Sequence, residues 1–283
     1  MQIGISSWAC PWAIGVAGYP FPEKPMGAMG LLQAAAAEGA QVLQVADNLP
    51  LHALSRGELR ELAGEAGRSG IALEAGTRGL APENLFQYLD IAGELNAKLV
   101  RTLPHDGPDR PDFEEALRRL HAVKPAFEAA GVVLAIENHD FYPSLWLRRL
   151  VEAAGSPYIG VCLDAVNNLG LGEGFREVLS ALGPHTVNFH CKDYTIARKP
   201  TMLCFDVTGA AAGEGMLDLQ LARSALREDI SWVLESWLPW QGDIHATLFV
   251  EREWLARGIA SLRRIAQQEA AQQRGNREDA TVR

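Results

Sequence analysis

The 283-residue chain has no apolar run long enough to span a bilayer, which excludes a membrane-spanning helix on sequence grounds. Four cysteines, at 10, 162, 191 and 204, show no CxxC spacing, so neither a disulfide framework nor a thiolate zinc site is expected. Runs of lysine and arginine are absent, and 26 basic against 35 acidic side chains leave a net charge of -9, a poor balance for nucleic-acid binding. No G-x-G-x-x-G follows the first strand-like segment, which removes the usual sign of a dinucleotide fold. The first residues lack the basic-then-apolar order of a secretory leader and enter a strand-like "IGISSWA" directly. The expectation is a cytoplasmic protein with reduced thiols.

What the chain does contain is an alternation. Short β-type apolar runs occur at 2–7, 41–46, 71–76, 97–103, 132–137, 159–164, 186–191 and 231–236. Helix-type segments lie between them, such as Asp112 to Ala129, with apolar residues at three-to-four spacing and Asp112 placed to cap the start. Gly39, Gly70 and Gly131 stand where helices end ahead of a strand. Eight strands alternating with helices over this length predict an α/β fold, a (β/α)8 TIM barrel. No internal linker divides it, so residues 1–271 are expected to form one catalytic domain, followed by a disordered tail over 272–283. The longest interval between strands, 192–215 within it, reads as a functional loop and a candidate lid.

The last four strands share one ending. Glu137, Asp164, His190 and Glu235 each close an apolar run, in "VLAIENHD", "VCLDAVN", "VNFHCKD" and "WVLESW". Barrel strands end at a common mouth, so these side chains converge although the chain separates them widely. Three carboxylates together repel one another unless a cation neutralises them. Three oxygen donors and one imidazole suit one divalent ion, Mn²⁺ or Mg²⁺ first, with Co²⁺ and Zn²⁺ also admitted.

With "IENHD", "VCLDAVN", "NFHCKD", "LESW" and the "GEG" of 213–215, the sequence resembles the xylose isomerase-like TIM barrels, which include D-tagatose 3-epimerase and hydroxypyruvate isomerase. The resemblance covers residues 1 to about 268. It implies that Glu137, Asp164, His190 and Glu235 bind the metal and that Glu137 and Glu235 move protons. The expected reaction is then a sugar isomerisation or epimerisation through an enediolate, on a small and carboxylated keto sugar.

Two departures qualify that expectation. Asn167 stands where the epimerase branch carries a histidine, and an amide binds a hydroxyl but does not shuttle a proton. Arg78, Arg101, Lys192, Arg198 and Lys199 place positive charge around the mouth, which suits a carboxylate substrate. The strand-six and strand-eight motifs also resemble the 3-oxoisoapionate decarboxylase branch, where loss of CO₂ leaves an enolate. Decarboxylation of a 3-oxo sugar acid is therefore the alternative, and an endonuclease IV-like nuclease a weak third, since only seven histidines occur. Substrate contacts are expected from Arg101, His139, Asn167, Lys192, Arg198 and Trp8. The partner is a small sugar or sugar acid, with neither nucleic acid nor membrane, and the resemblance implies a homodimer or homotetramer. Glu74, inside the third strand, has no role in this reading.

Overall fold

The computed structural model describes the backbone of residues 1–281 and the side chains of residues 1–267. Among the described residues, eight parallel strands close into a barrel. They are β1 (Gln2–Ser6), β2 (Val42–Val45), β3 (Ala72–Gly76), β4 (Leu99–Thr102), β5 (Val133–Glu137), β6 (Ile159–Asp164), β7 (Thr186–Cys191) and β10 (Ser231–Leu234). Neighbours in sequence are neighbours in the barrel, and β1 pairs with β10 to close it. This is the (β/α)8 architecture expected from the alternation. No helix among the described residues is long and apolar enough to cross a membrane.

Helices cover the outside: α1 (Pro11–Ile14), α2 (Ala28–Ala37), α3 (Arg56–Arg68), α4 (Pro82–Leu95), α5 (Phe113–Ala130), α6 (Ser144–Ala154), α7 (Phe175–Leu182), α8 (Leu219–Ala225) and α9 (Ile244–Thr281). Their ends follow local chemistry. Ser55 and Glu58 cap α3 reciprocally, and Asp112 accepts the Glu115 N–H at the start of α5. Gly131 ends α5 at φ 62°, a left-handed backbone that glycine adopts without a Cβ penalty. The main core fills the space between strands and helices, with Leu31, Leu43, Leu85, Phe127, Phe189 and Trp232 fully buried. The expected disordered tail falls largely on residues whose side chains lie outside those described; of its backbone, α9 continues to Thr281.

The long segment after β7 has its own structure. Strand β8 (Asp193–Arg198) pairs antiparallel with β9 (Phe205–Ala210) as a hairpin, exposed over much of its length. Asp193 clasps its base, accepting backbone N–H groups from Tyr194, Gly213, Gly215 and Leu217. A Cβ on Gly215 would stand 2.3 Å from Asp193 Oδ1, which accounts for glycine there. No residue of the hairpin lines the cleft described below, but Gly209 of β9 packs against Trp237, which does.

Candidate active site

Period-two alternation sends every second side chain of a strand into the barrel. The inward residues are Ala135 and Glu137 on β5, Cys162 and Asp164 on β6, and Asn188 and His190 on β7. Glu235 follows β10 directly. Glu137, Asp164, His190 and Glu235, which share no local segment, are brought together and are all essentially buried. His190 Nδ1 lies 3.3 Å from Glu137 Oε2, 3.3 Å from Glu235 Oε1 and 4.0 Å from Asp164 Oδ2.

A polar layer deeper in the barrel orients this cluster. Gln44 donates from Nε2 to Glu74 and Asn188, which fixes its amide so that Oε1 accepts from His190 Nε2 at 2.7 Å. In the neutral ring, Nδ1 is then a lone pair aimed at carboxylates. Glu74, unexplained by sequence, is the keystone of this layer, taking hydrogen bonds from Gln44, Asn188 and Ser231. Burial is the main influence on its carboxyl and raises its pKa, with the hydrogen bonds and His190 opposing. Asn138 joins β5 to β6 by accepting the Asp164 N–H and donating to the Asp164 carbonyl.

Two buried cations partner the acids. Arg101 donates Nε to Glu137 and Nη1 to Asp47 Oδ1 (2.7 Å) and the Thr77 carbonyl. Lys192 Nζ lies 2.8 Å from both Asp164 Oδ2 and Glu235 Oε2. Burial alone would strip the proton from Lys192, but Asp164, Glu235 and Glu137 outweigh it and raise its pKa well above the usual lysine range. Burial would likewise raise Glu235, yet the His190 ring when protonated, Lys192 and Arg101 hold it ionised, well below the ordinary carboxylate range. Asp47 is also held low, against burial, by Arg101 and Arg78.

Two buried polar atoms of the cluster still lack a hydrogen-bond partner, His190 Nδ1 and Glu235 Oε1, and Asp164 Oδ2, held by Lys192, lies 4.0 Å from the first of them. Buried acceptors left unpaired are costly, and these two face each other at 3.3 Å beside the Asp164 carboxylate. A divalent cation fits there, because it satisfies one nitrogen and two or three oxygens at once.

Above the cluster opens a cleft of about 270 Å³. Trp8, Arg78, Arg101, His139, Asn167 and Lys192 line it, together with Asp47, Glu137, Glu235 and Trp237. Trp8 donates Nε1 to Asp47, and Asn167 donates Nδ2 to Glu137 Oε1 at 2.7 Å. Of the expected substrate contacts, only Arg198 is absent from the cleft. It lies on the exposed hairpin, bonded to the Met202 carbonyl with its guanidinium 4.2 Å from the Phe205 ring centroid. Arg101 and Lys192 are at the cleft floor but largely committed to protein carboxylates. Arg78 keeps more freedom: it pairs with Asp47 at 2.9 Å and remains half-exposed.

Sequence reasoning missed Asp47, Gln44 and Trp237. Asp47 was within reach of the same rule that found the others, since it is a carboxylate just beyond a strand. Gln44 left a fainter sign, one amide inside the apolar "VLQV".

Comparison with known proteins places these features in context. The profile of the family described as xylose isomerase-like TIM barrel matches residues 13–265. The 3-oxo-isoapionate decarboxylase of Pectobacterium atrosepticum is 34% identical over 257 residues, covering 90% of this chain and 92% of the relative. Among solved structures, D-psicose 3-epimerase determined in the presence of D-fructose superposes with a TM-score of 0.68 at 16% identity, covering 94% of this chain and 99% of that one. A xylose isomerase-like TIM barrel protein from Mycobacterium smegmatis in complex with magnesium gives 0.63 at 16% identity, with coverage of 83% and 88%. At such identities the two structures speak for the fold alone.

Proposed function

The chain belongs to the xylose isomerase-like TIM barrel family, and on that premise we propose that it is a divalent-metal-dependent decarboxylase of a 3-oxo sugar acid. The observation that carries this reading is how the two candidate bases are engaged. Both oxygens of Glu137 accept hydrogen bonds, from Arg101 and Asn167, and the outer oxygen of Glu235 is paired with Lys192. Isomerisation or epimerisation requires a base that removes a carbon-bound proton. Decarboxylation does not. It requires stabilisation of developing negative charge and one proton afterwards, which a floor of fixed cations supports.

In the reaction, the bond between the carboxylate carbon and the adjacent carbon breaks. Its electron pair passes to that carbon and the 3-oxo oxygen as an enolate, CO₂ leaves, and one proton is then taken up at carbon. Glu137, Asp164, His190 and Glu235 would hold the divalent ion. When bound, it supplies a Lewis acid for the carbonyl oxygen. Lys192 and Arg101 add positive charge at the cleft floor where the enolate develops. Arg78 has donors facing the cleft mouth and suits the substrate's carboxylate. Asn167 holds a hydroxyl, while Trp8 and Trp237 wall the cleft against water. The identity with the Pectobacterium decarboxylase, over nearly the whole of both chains, supports the same substrate class.

Isomerisation or epimerisation is the second reading, favoured by the presence of two glutamates, Glu137 and Glu235, in one cleft. NMR in D₂O separates the two readings, with Mg²⁺-loaded protein, 3-oxo sugar acids and ketoses. The expected outcome is CO₂ release with one deuterium in a product one carbon shorter. Deuterium in a product that keeps all its carbons would instead establish isomerase or epimerase chemistry.

A further inference from the structure

Beside the strand-end cluster, the loops after β4 and β5 bring together a second group with ligand chemistry: His105, His139 and Asp140. His105 Nε2 lies 3.2 Å from His139 Nδ1, and the same Nδ1 lies 3.0 Å from Asp140 Oδ2. One ring nitrogen, His139 Nδ1, thus stands within reach of two other groups with ligand atoms at once. An imidazole nitrogen has one in-plane site, filled either by a hydrogen or by a lone pair. If Nδ1 of His139 accepts from His105, its lone pair faces the Asp140 carboxylate. If it donates, one hydrogen is shared between Asp140 Oδ2 and His105 Nε2. Either way His105 Nδ1 stays buried without a partner.

We propose that His105, His139 and Asp140 form a second cation site on the cleft wall, separate from the strand-end cluster and selective for a borderline ion such as Zn²⁺. Two imidazole nitrogens and one carboxylate oxygen suit Zn²⁺ or Co²⁺, whereas the oxygen-rich cluster favours Mg²⁺ or Mn²⁺. The spacing agrees with this assignment. Tetrahedral zinc with bonds of roughly 2.0–2.1 Å has ligand-to-ligand edges of about 3.3 Å. The two observed separations are close to that edge.

The surroundings support the same assignment. His105 is only 4% exposed and packs edge-on against Phe141, ring centroids 5.0 Å apart, with Tyr142 beyond. Arg110 covers the far side of Phe141. Asp140 adopts φ 38°, a left-handed backbone uncommon outside glycine, that turns its carboxylate onto His139. His139 and Asp140 line the cleft, so a fourth coordination position would open to water or to an oxygen of a bound molecule. His139, expected from sequence to touch substrate, would then do so by way of this ion.

Zn²⁺ titration by calorimetry, with elemental analysis after dialysis, tests the assignment on the whole chain. Wild type should bind two Zn²⁺, and His190→Gln should retain the one held at the loop site. His105→Gln and Asp140→Asn should each lose that equivalent, with affinity reduced at least ten-fold. Asp140 is half-exposed, so its substitution leaves the core untouched and keeps the test open if His105→Gln fails to fold. A single equivalent in wild type, or two in Asp140→Asn at unchanged affinity, would overturn the site. Neither result depends on which reaction the cleft performs.

Discussion

At the scale of single residues, the cleft floor is a charge lattice in which each acid has a named partner. Glu235 is the most connected, facing His190 through Oε1 and Lys192 through Oε2. Glu235→Gln keeps the shape while removing a proposed metal ligand and a counter-charge. Turnover should fall by about 10²–10³-fold, the range seen when one preorganised electrostatic contact is removed. The fold should survive, because Lys192 keeps Asp164, and the far-ultraviolet circular dichroism should match wild type. Near-normal kcat at saturating Mg²⁺ would show that Glu235 is neither ligand nor counter-charge. The same lattice explains which residues were legible beforehand. Glu137, Asp164, His190 and Glu235 are each readable because a polar residue ending an apolar strand has only the mouth to face. The partners of Arg101 and Lys192 were not readable. Sequence supplies a cation near the mouth, but a neighbouring carboxylate or a substrate satisfies it equally well.

At the scale of elements, α9 is tied to the N-terminal turn by one buried carboxylate. Glu251 accepts the Trp12 and Ala13 N–H groups at 2.7 and 3.0 Å, anchoring α1. Burial is the larger influence and pushes its pKa from 4.5 up to about 7, against those hydrogen bonds. The folded chain therefore keeps this proton where the unfolded chain has already lost it. Stability falls as pH rises from about 4.5 to about 7, and is level above that, by about 3 kcal/mol in total. Urea unfolding of wild type and Glu251→Gln at pH 5 and pH 8 reads this directly: the stability difference between the two should change by about that amount. An unchanged difference would mean that Glu251 does not titrate in the window. The hairpin of β8 and β9 marks the opposite case, an element that sequence located without its form. An interval of that length after a strand suggested a lid. The interval proves to be a hairpin whose base is held by the Asp193 clasp, which depends on backbone N–H groups twenty or more residues away.

At the scale of the whole molecule, the proposed metal would take its ligands from β5, β6, β7 and the end of β10, so it would staple half of the strand circle. A ligand that binds only the folded state stabilises it by mass action, about 2.7 kcal/mol at a hundred times Kd. For a chain of this length the melting temperature should rise by roughly 4–6 °C with saturating Mg²⁺ or Mn²⁺. The rise should vanish in Asp164→Asn, and differential scanning calorimetry with and without metal measures both. No shift in wild type would remove the strand-end cluster as a metal site.

The eight strands, the closing helices and the meeting of the four strand-end residues followed from sequence, because apolar periodicity and the step from apolar to polar are local properties of consecutive residues. Tertiary structure decided the rest. Closure of the barrel set Arg101 between Glu137 and Asp47, and Lys192 between Asp164 and Glu235. It also turned Glu74 into the support beneath His190 by way of Gln44, and left Arg198 outside the cleft. These outcomes depend on distances of a few ångströms between side chains that the chain holds far apart in sequence. Such distances are fixed by strand register and by competition among neighbouring charges, neither of which any single segment contains.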